Sequence, residues 1–407
     1  MGVINLSPDS WYRESVVLNT DAALVRARRL RAEGALAFAH SSLAAEKEFF
    51  VYFGTYTKAP SKGIYRSRLD VATGRLSPAE LAAETKDPAF LALHPNGKFL
   101  YALDESVDST RTPGTGLSAY ALNAATGALT LVNQQTHGSS GACHLAIDAT
   151  GRTLLVANYG GGGVSGIALQ PDGRLGALGS VSQHTGSSVN LARQAAPHAH
   201  QIVVSPDNRF ALVPDLGLDR VLLYALDPAT AKLTAHTPAF ASLRPGSGPR
   251  HLAFHPTGKF TYVISEMLCT MTAFRYDAAL GTLTDFQTIS TLPPGESVAK
   301  GTSTAEVQIH PSGKFLYGSN RGHNTIVAYA IDATSGKLTL IDHHSTLGKT
   351  PRHFALDPTG TWLLAENQDS NTVAVFRIDP KSGRLTPTGP LLEVPKPVCA
   401  VFVPVPS

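Results

Sequence analysis

The chain has 407 residues, of which 43% are hydrophobic and 16% charged, with 36 glycines and 27 prolines. That length suits one large domain or two ordinary ones, and the glycine and proline content favours many short strands and turns over long salt-bridged helices. A net charge of +3 excludes a strongly basic nucleic-acid-binding surface but does not repel an anionic metabolite. Cys143, Cys269 and Cys399 cannot all pair within the chain and none has zinc-site spacing, so neither a disulfide framework nor a metal is expected. No apolar run approaches the roughly 20 residues that span a bilayer, which excludes a membrane helix.

Residues 1–48 read differently from everything after them. Met1 to Ser10 resembles the opening strand and loop of dihydropteroate synthase, and Asp21 to Gly34 predicts the helix that would follow. Thr20 can cap that helix, and Leu24, Ala27 and Leu30 fall at helical spacing. One such unit cannot close a TIM barrel or complete a pterin site. The run Arg26 to Arg31, followed by Ala35 to Ala39 and Ser42 to Ala45, also imitates a signal peptide, although Glu33 and His40 interrupt it. The segment is therefore read as a non-propeller arm, a fusion fragment or a degraded signal, and 49–407 as the folded domain.

From Phe50 onward a unit of about 50 residues recurs, a period that marks propellers and solenoids. Its clearest part is a hairpin, Phe90 to Leu103, repeated at His144 to Val156, Gln201 to Phe210, His251 to Phe260, Glu306 to Phe315 and His353 to Trp362. A second pattern, a strand followed by a D-x-x-T/S-G-x-L turn and another strand, recurs seven times, from Ile64–Leu76 to Ala374–Leu385. The seventh hairpin is split: Cys399 to Pro404 supplies its first strand and Phe50 to Tyr56 its second. Pairing them closes the ring and removes exposed sheet edges. The expected fold is all-β, a seven-bladed β-propeller closed by its N-terminal and C-terminal strands.

In such a blade the innermost strand begins, and the second strand ends, at the same mouth of the central channel. Strand starts bring Phe90, His144, Gln201, His251, Glu306, His353 and Cys399 there, preceded by His200, Arg250 and Arg352. Strand ends add Thr55, Tyr56, Asp104, Glu105, Asn158, Tyr159, Asp215, Ser265, Glu266, Asn320, Arg321, Asn367 and Gln368. The irregular segment Gly186 to His200 breaks the repeat and delivers Arg193, Gln194 and His198 to the same rim. Polar groups converging over an apolar-walled channel define the expected binding site. An ion pair of Glu266 with Arg250, and of Asp215 with Arg220, are structural alternatives for those groups.

Four motifs, Gly54-Thr-Tyr-Thr57, Arg193-Gln194 with Pro197-His-Ala-His200, Pro214-Asp-Leu-Gly-Leu-Asp-Arg220 and Pro249-Arg-His251, resemble the lactonase family of seven-bladed propellers. That family includes 6-phosphogluconolactonases of the propeller type and is related to propeller enzymes that close muconate lactones. The resemblance implies a hydrolase that opens a sugar lactone, with 6-phosphogluconolactone first among candidates. A muconate-type cyclase and a non-catalytic binding propeller are the alternatives, since a superfold does not dictate function. The catalytic residues it implies are His144, Arg193, Arg250 and Glu266, with Asn158, His198, His200, Asp215 and His251 binding substrate. Either His144 or Glu266 could activate water, while arginines hold the oxyanion or a phosphate. The only expected partner is the lactone, with no cofactor, metal, nucleic acid or membrane; the protein is expected to be a monomer or weak oligomer. Its expected compartment is cytoplasmic, or periplasmic or secreted if residues 26–45 are a signal remnant.

Overall fold

The computed structural model describes residues 46–112 and 114–406, so the predicted N-terminal helix and signal-like run lie outside the described residues. Seven four-stranded antiparallel sheets form the domain, as the repeat predicts. Blade one takes its three outer strands from Glu48–Thr55, Gly63–Asp70 and Glu80–Glu84 and its innermost from Pro397–Pro404. In that closure Phe49 pairs with Pro404, Phe53 with Ala400 and Gly54 with Cys399. The first and last described strands of the chain therefore stabilise one another.

No blade buries both of its faces alone. Phe315 and Tyr317 of blade six, for example, share one apolar cluster with Phe354, Leu363 and Phe376 of blade seven. The D-x-x-T/S-G turn tightens the same seam. Gly336 turns with φ 73°, and an added Cβ would stand 2.6 Å from the Phe260 ring of the preceding blade. The Tyr262 hydroxyl of that blade donates to the Gly336 carbonyl at 2.8 Å. Tyr52 with Gly127, Tyr101 with Gly173 and Tyr317 with Gly383 repeat the contact. Blade four breaks the pattern: Ala231 takes the glycine's place at φ 54°, and blade three presents Thr153 there instead of an aromatic ring. Thr153 donates to the Pro228 carbonyl.

At the opposite mouth, the hairpin histidines have a structural task. Nε2 of His94, His255 and His310 lies 2.7–2.9 Å from the carbonyl oxygen of Gly151, Gly313 and Gly360 in the next blade. This accounts for the recurring His-Pro-x-Gly turns without any catalytic role. Among the described residues no helix is long and apolar enough to cross a membrane.

Candidate active site

Register sends the polar residues to one mouth, as the topology predicts. Ala142 pairs with Asn158, Pro249 with Ser265, Ser303 with Arg321 and Pro351 with Asn367. In five blades the innermost strand then slips by one residue, in three of them between Ala142 and His144, Pro249 and His251, and Pro351 and His353. The residues left out of the pairing in those three are Cys143, Arg250 and Arg352. A bulge re-aims its side chain, so adjacent residues can face the channel together. Cys143, Arg250, His251, Arg352 and His353 accordingly line one pocket with Phe90, Glu105 and His200. A larger groove between the outer strands of blades one and seven offers only Arg75 and Glu393 as ionisable groups, too little for acid-base chemistry.

Glu266 is the anchor of the cationic side of this mouth. Its Oε1 accepts from Arg193 Nη2 at 2.6 Å, and its Oε2 forms an ion pair at 2.9 Å with Arg321 Nη2, which donates to the Thr304 carbonyl at 2.8 Å. Arg250 Nε stands 3.2 Å from Oε2 without hydrogen-bond alignment, while Arg250 Nη1 donates to the Ala305 carbonyl at 2.6 Å. Burial alone would raise the Glu266 pKa, but Arg321, Arg250 and Arg193 reverse that and hold the carboxyl at about 2. Arg352 is the fourth guanidinium; it lies 5.4 Å from the Tyr56 ring centroid and has no hydrogen bond or ion pair among the described residues.

The imidazoles are stacked edge to face across the channel. His251 lies 5.4 Å from His144 and 5.1 Å from His200 between ring centroids, and His144 packs on Phe90 at 4.1 Å. Burial, joined by neighbouring cations, holds His144, His200 and His251 well below the ordinary histidine pKa, so all three are neutral at pH 7. Their ring nitrogens differ in partners. His251 Nδ1 is 2.8 Å from Glu306 Oε2 and its Nε2 is buried with no partner, whereas Nδ1 itself is unpartnered in His144 and His200. Behind Glu306, His353 Nε2 lies 3.8 Å from the same oxygen and its Nδ1 is 2.8 Å from Glu366 Oε2. Burial disfavours a charged His353, but Glu306 and Glu366 prevail and raise its pKa.

His144, His200, His251, Arg193, Arg250 and Glu266 are thus brought to one mouth. Asn158 and Asp215, expected to bind substrate, are instead fully buried in the wall. The Asn158 amide donates to Ser165 of its own blade at 3.0 Å. Asp215 binds His184 Nδ1 at 2.6 Å and accepts the backbone N–H groups of His198 and Gly217; it makes no ion pair with Arg220, whose guanidinium lies over Phe240. Asp215 is thereby fully committed, as a buried polar group needs partners, whereas the Asn158 Oδ1 is buried without one. His198 stacks on Tyr159 at 4.5 Å, at the edge of the mouth. Arg321, Arg352, Glu306 and His353, which the topology already sends to this mouth, receive no role from the sequence, and Glu366 is not placed there by it. Pro351-Arg-His353 duplicates Pro249-Arg-His251, a signal that would have found two of them. Among the described residues no cluster of His, Cys, Asp or Glu has metal-binding geometry.

A family model described as lactonase, 7-bladed beta-propeller, matches residues 50–402. A 6-phosphogluconolactonase of Bacillus subtilis is 33% identical over 357 residues, which cover 88% of this chain and 99% of that protein. A 6-phosphogluconolactonase of Formosa agariphila is 33% identical over 315 residues, 75% of this chain and 86% of that protein. The solved structure of a periplasmic gluconolactonase of Pseudomonas aeruginosa matches with a TM-score of 0.82 at 32% identity, covering 88% of this chain and 100% of that one.

Proposed function

The chain belongs to the seven-bladed β-propeller lactonase family, and from that premise we propose that it hydrolyses 6-phosphogluconolactone to 6-phosphogluconate at the mouth where Arg250 and His251 converge. It is a lactonase, a hydrolase of cyclic esters. One observation carries the finer reading: Arg250 and Arg352 line one pocket with a neutral imidazole, His251, whose Nδ1 faces a carboxylate and whose buried Nε2 has no partner, while Arg193 and Arg321 pair with Glu266 beside Arg250.

In this reading His251 is the general base. Glu266, held at about 2 by its arginines, is too weak a base and too fully bonded, and it serves to orient Arg193, Arg250 and Arg321. His144 lacks a carboxylate on Nδ1, so nothing fixes its tautomer; it packs against Phe90 and His251, and His200 walls the pocket. With the proton of the neighbouring pair on His353, Glu306 accepts Nδ1–H of His251 and leaves Nε2 as the acceptor, the logic of an oriented catalytic histidine.

Water attacks the lactone carbonyl carbon as its proton moves to His251 Nε2. The oxyanion develops towards Arg250 and Arg193, whose guanidinium forks suit it. Collapse breaks the ring C–O bond, and the proton on His251 passes to the departing alkoxide. Asn158, Asp215 and His198 act at one remove, by holding the wall and the 186–200 segment. Hydrolysis of a panel of phosphorylated and unphosphorylated sugar lactones, corrected for spontaneous opening, tests the reading. Activity strongest on 6-phosphogluconolactone supports it, and no activity above background on any lactone overturns it.

A further inference from the structure

The mouth continues sideways into a groove of about 510 Å³. Its walls include Tyr56, Lys58, Asp87, Glu105, Asp369 and Lys396. Glu105 borders both this groove and the channel pocket, and Arg352 in that pocket lies over Tyr56 in the groove. The two spaces therefore meet at Glu105, beside Arg352.

The acids of the groove are already engaged. Asp87 accepts from the Thr57 backbone N–H and hydroxyl at 2.8 and 3.1 Å, and Glu105 accepts the Tyr56 hydroxyl at 2.8 Å. Asp369 accepts the Thr350 hydroxyl at 2.6 Å and lies 3.4 Å from Lys396 Nζ. Among the described residues the side-chain cations of Lys58 and Arg352 have no such partner. Arg352 is half-buried and its guanidinium nitrogens are open to water, so an incoming anion can reach them and take a charge-assisted bidentate contact.

We propose that Arg352 anchors the phosphate of a phosphorylated sugar lactone, with that phosphate entering the groove between Tyr56 and Lys58 while the lactone carbonyl faces His251. The assignment rests on the lactonase reading and adds to it the part of the site that distinguishes phosphorylated from unphosphorylated substrate. It fits the ligand's chemistry: the phosphate hangs from the exocyclic carbon beside the ring oxygen, a few bonds from the carbonyl. One substrate can therefore reach both the channel pocket and the groove. Arg193, Arg250 and Arg321 are tied to Glu266, which leaves Arg352 as the guanidinium available for a second anion.

The test is the ratio of kcat/KM for 6-phosphogluconolactone to that for glucono-δ-lactone, measured for the wild type, Arg352→Gln, Arg352→Lys and Lys58→Ala. Loss of a charge-assisted contact to phosphate predicts a fall in that ratio of about 30-fold or more in Arg352→Gln. Arg352→Lys should keep part of it, and Lys58→Ala should lose less. Thermal unfolding of each variant identifies any that does not fold; should Arg352→Gln be one, Arg352→Lys and Lys58→Ala carry the comparison. An unchanged ratio in folded variants overturns the anchor even if both activities drop together. Should the wild type open neither lactone, the functional reading fails separately, and inorganic phosphate decides the anion site: binding to wild type but not to Arg352→Gln upholds it, and equal or absent binding overturns it.

Discussion

His251 Nδ1 lies 2.8 Å from Glu306 Oε2 while its Nε2 is buried without a partner. A neutral histidine can be a base only at the nitrogen that does not carry the proton, and the carboxylate selects which one that is. His251→Ala should therefore lower kcat by about 10² to 10⁴, the usual worth of a general base. Glu306→Gln should be nearly as damaging, because its amide N–H can donate to Nδ1 and drive the proton onto Nε2. Burial holds the His251 pKa well below 6.5, so kcat/KM should be level through neutrality and fall only as pH drops below that value. A wild-type profile whose acid limb already sets in at or above neutrality would remove His251 as the base.

Glu266 links activity to acid stability. Its folded pKa of about 2 is below the ordinary 4.5, so its contribution is complete above about 4.5 and disappears as pH falls towards 2. Linkage puts that contribution on the order of 3 kcal/mol for this buried group. Urea unfolding between pH 7 and pH 3 should show the loss in the wild type and a flatter dependence in Glu266→Gln. The same variant should be less stable at pH 7, because three cations lose their common anion, and should lose most of its turnover. Equal slopes with pH in the two proteins would contradict the clamp.

Much of this was legible in the residues. The repeat located the hairpins, and the split seventh hairpin required the closure between Phe50 and Val403 that the register contains. The same topology sent the polar strand ends to one mouth, where the register brings them together. Pairwise commitment was not legible: Asn158 and Asp215 are as polar as His251, and only the fold reveals that their partners are Ser165 and His184. The bulges were equally hidden, since they fall in the first residues of their strands, before an alternation is established against which a slip would show. They explain why Arg352 and His353 face the channel together.

The closure between blades seven and one should be measurable as a coupling. A Cβ on Gly74 would stand 2.4 Å from the Trp362 ring, and Trp362 Nε1 donates to the Val71 carbonyl at 2.8 Å. Trp362→Ala should cost about 3–5 kcal/mol. Gly74→Ala carries two penalties, strain at φ 72° and the clash with the ring. Only the second vanishes when the ring is absent. A double-mutant cycle by denaturant unfolding should therefore find Gly74→Ala less harmful in the Trp362→Ala background. Strict additivity would show that the turn does not press on the ring.

Asp215 ties both ends of the segment that carries Arg193. Its Oδ2 is 2.6 Å from His184 Nδ1 before the segment, and its Oδ1 accepts the His198 N–H at 2.8 Å near the end. Arg193, whose side chain is 44% exposed, bridges from this segment to Glu266. Asp215→Ala should free both ends, raise hydrogen exchange across 186–197 and lower kcat/KM by about 10- to 100-fold through misplacement of the guanidinium. Arg193→Ala should lose comparable activity but leave exchange in the rest of the segment nearly unchanged. Arg220→Ala is the control, because Arg220 stacks on Phe240 and makes no ion pair with Asp215; it should change neither quantity by much. If Asp215→Ala keeps full activity with a loosened segment, Arg193 does not need the anchoring and its role at the mouth is electrostatic at long range.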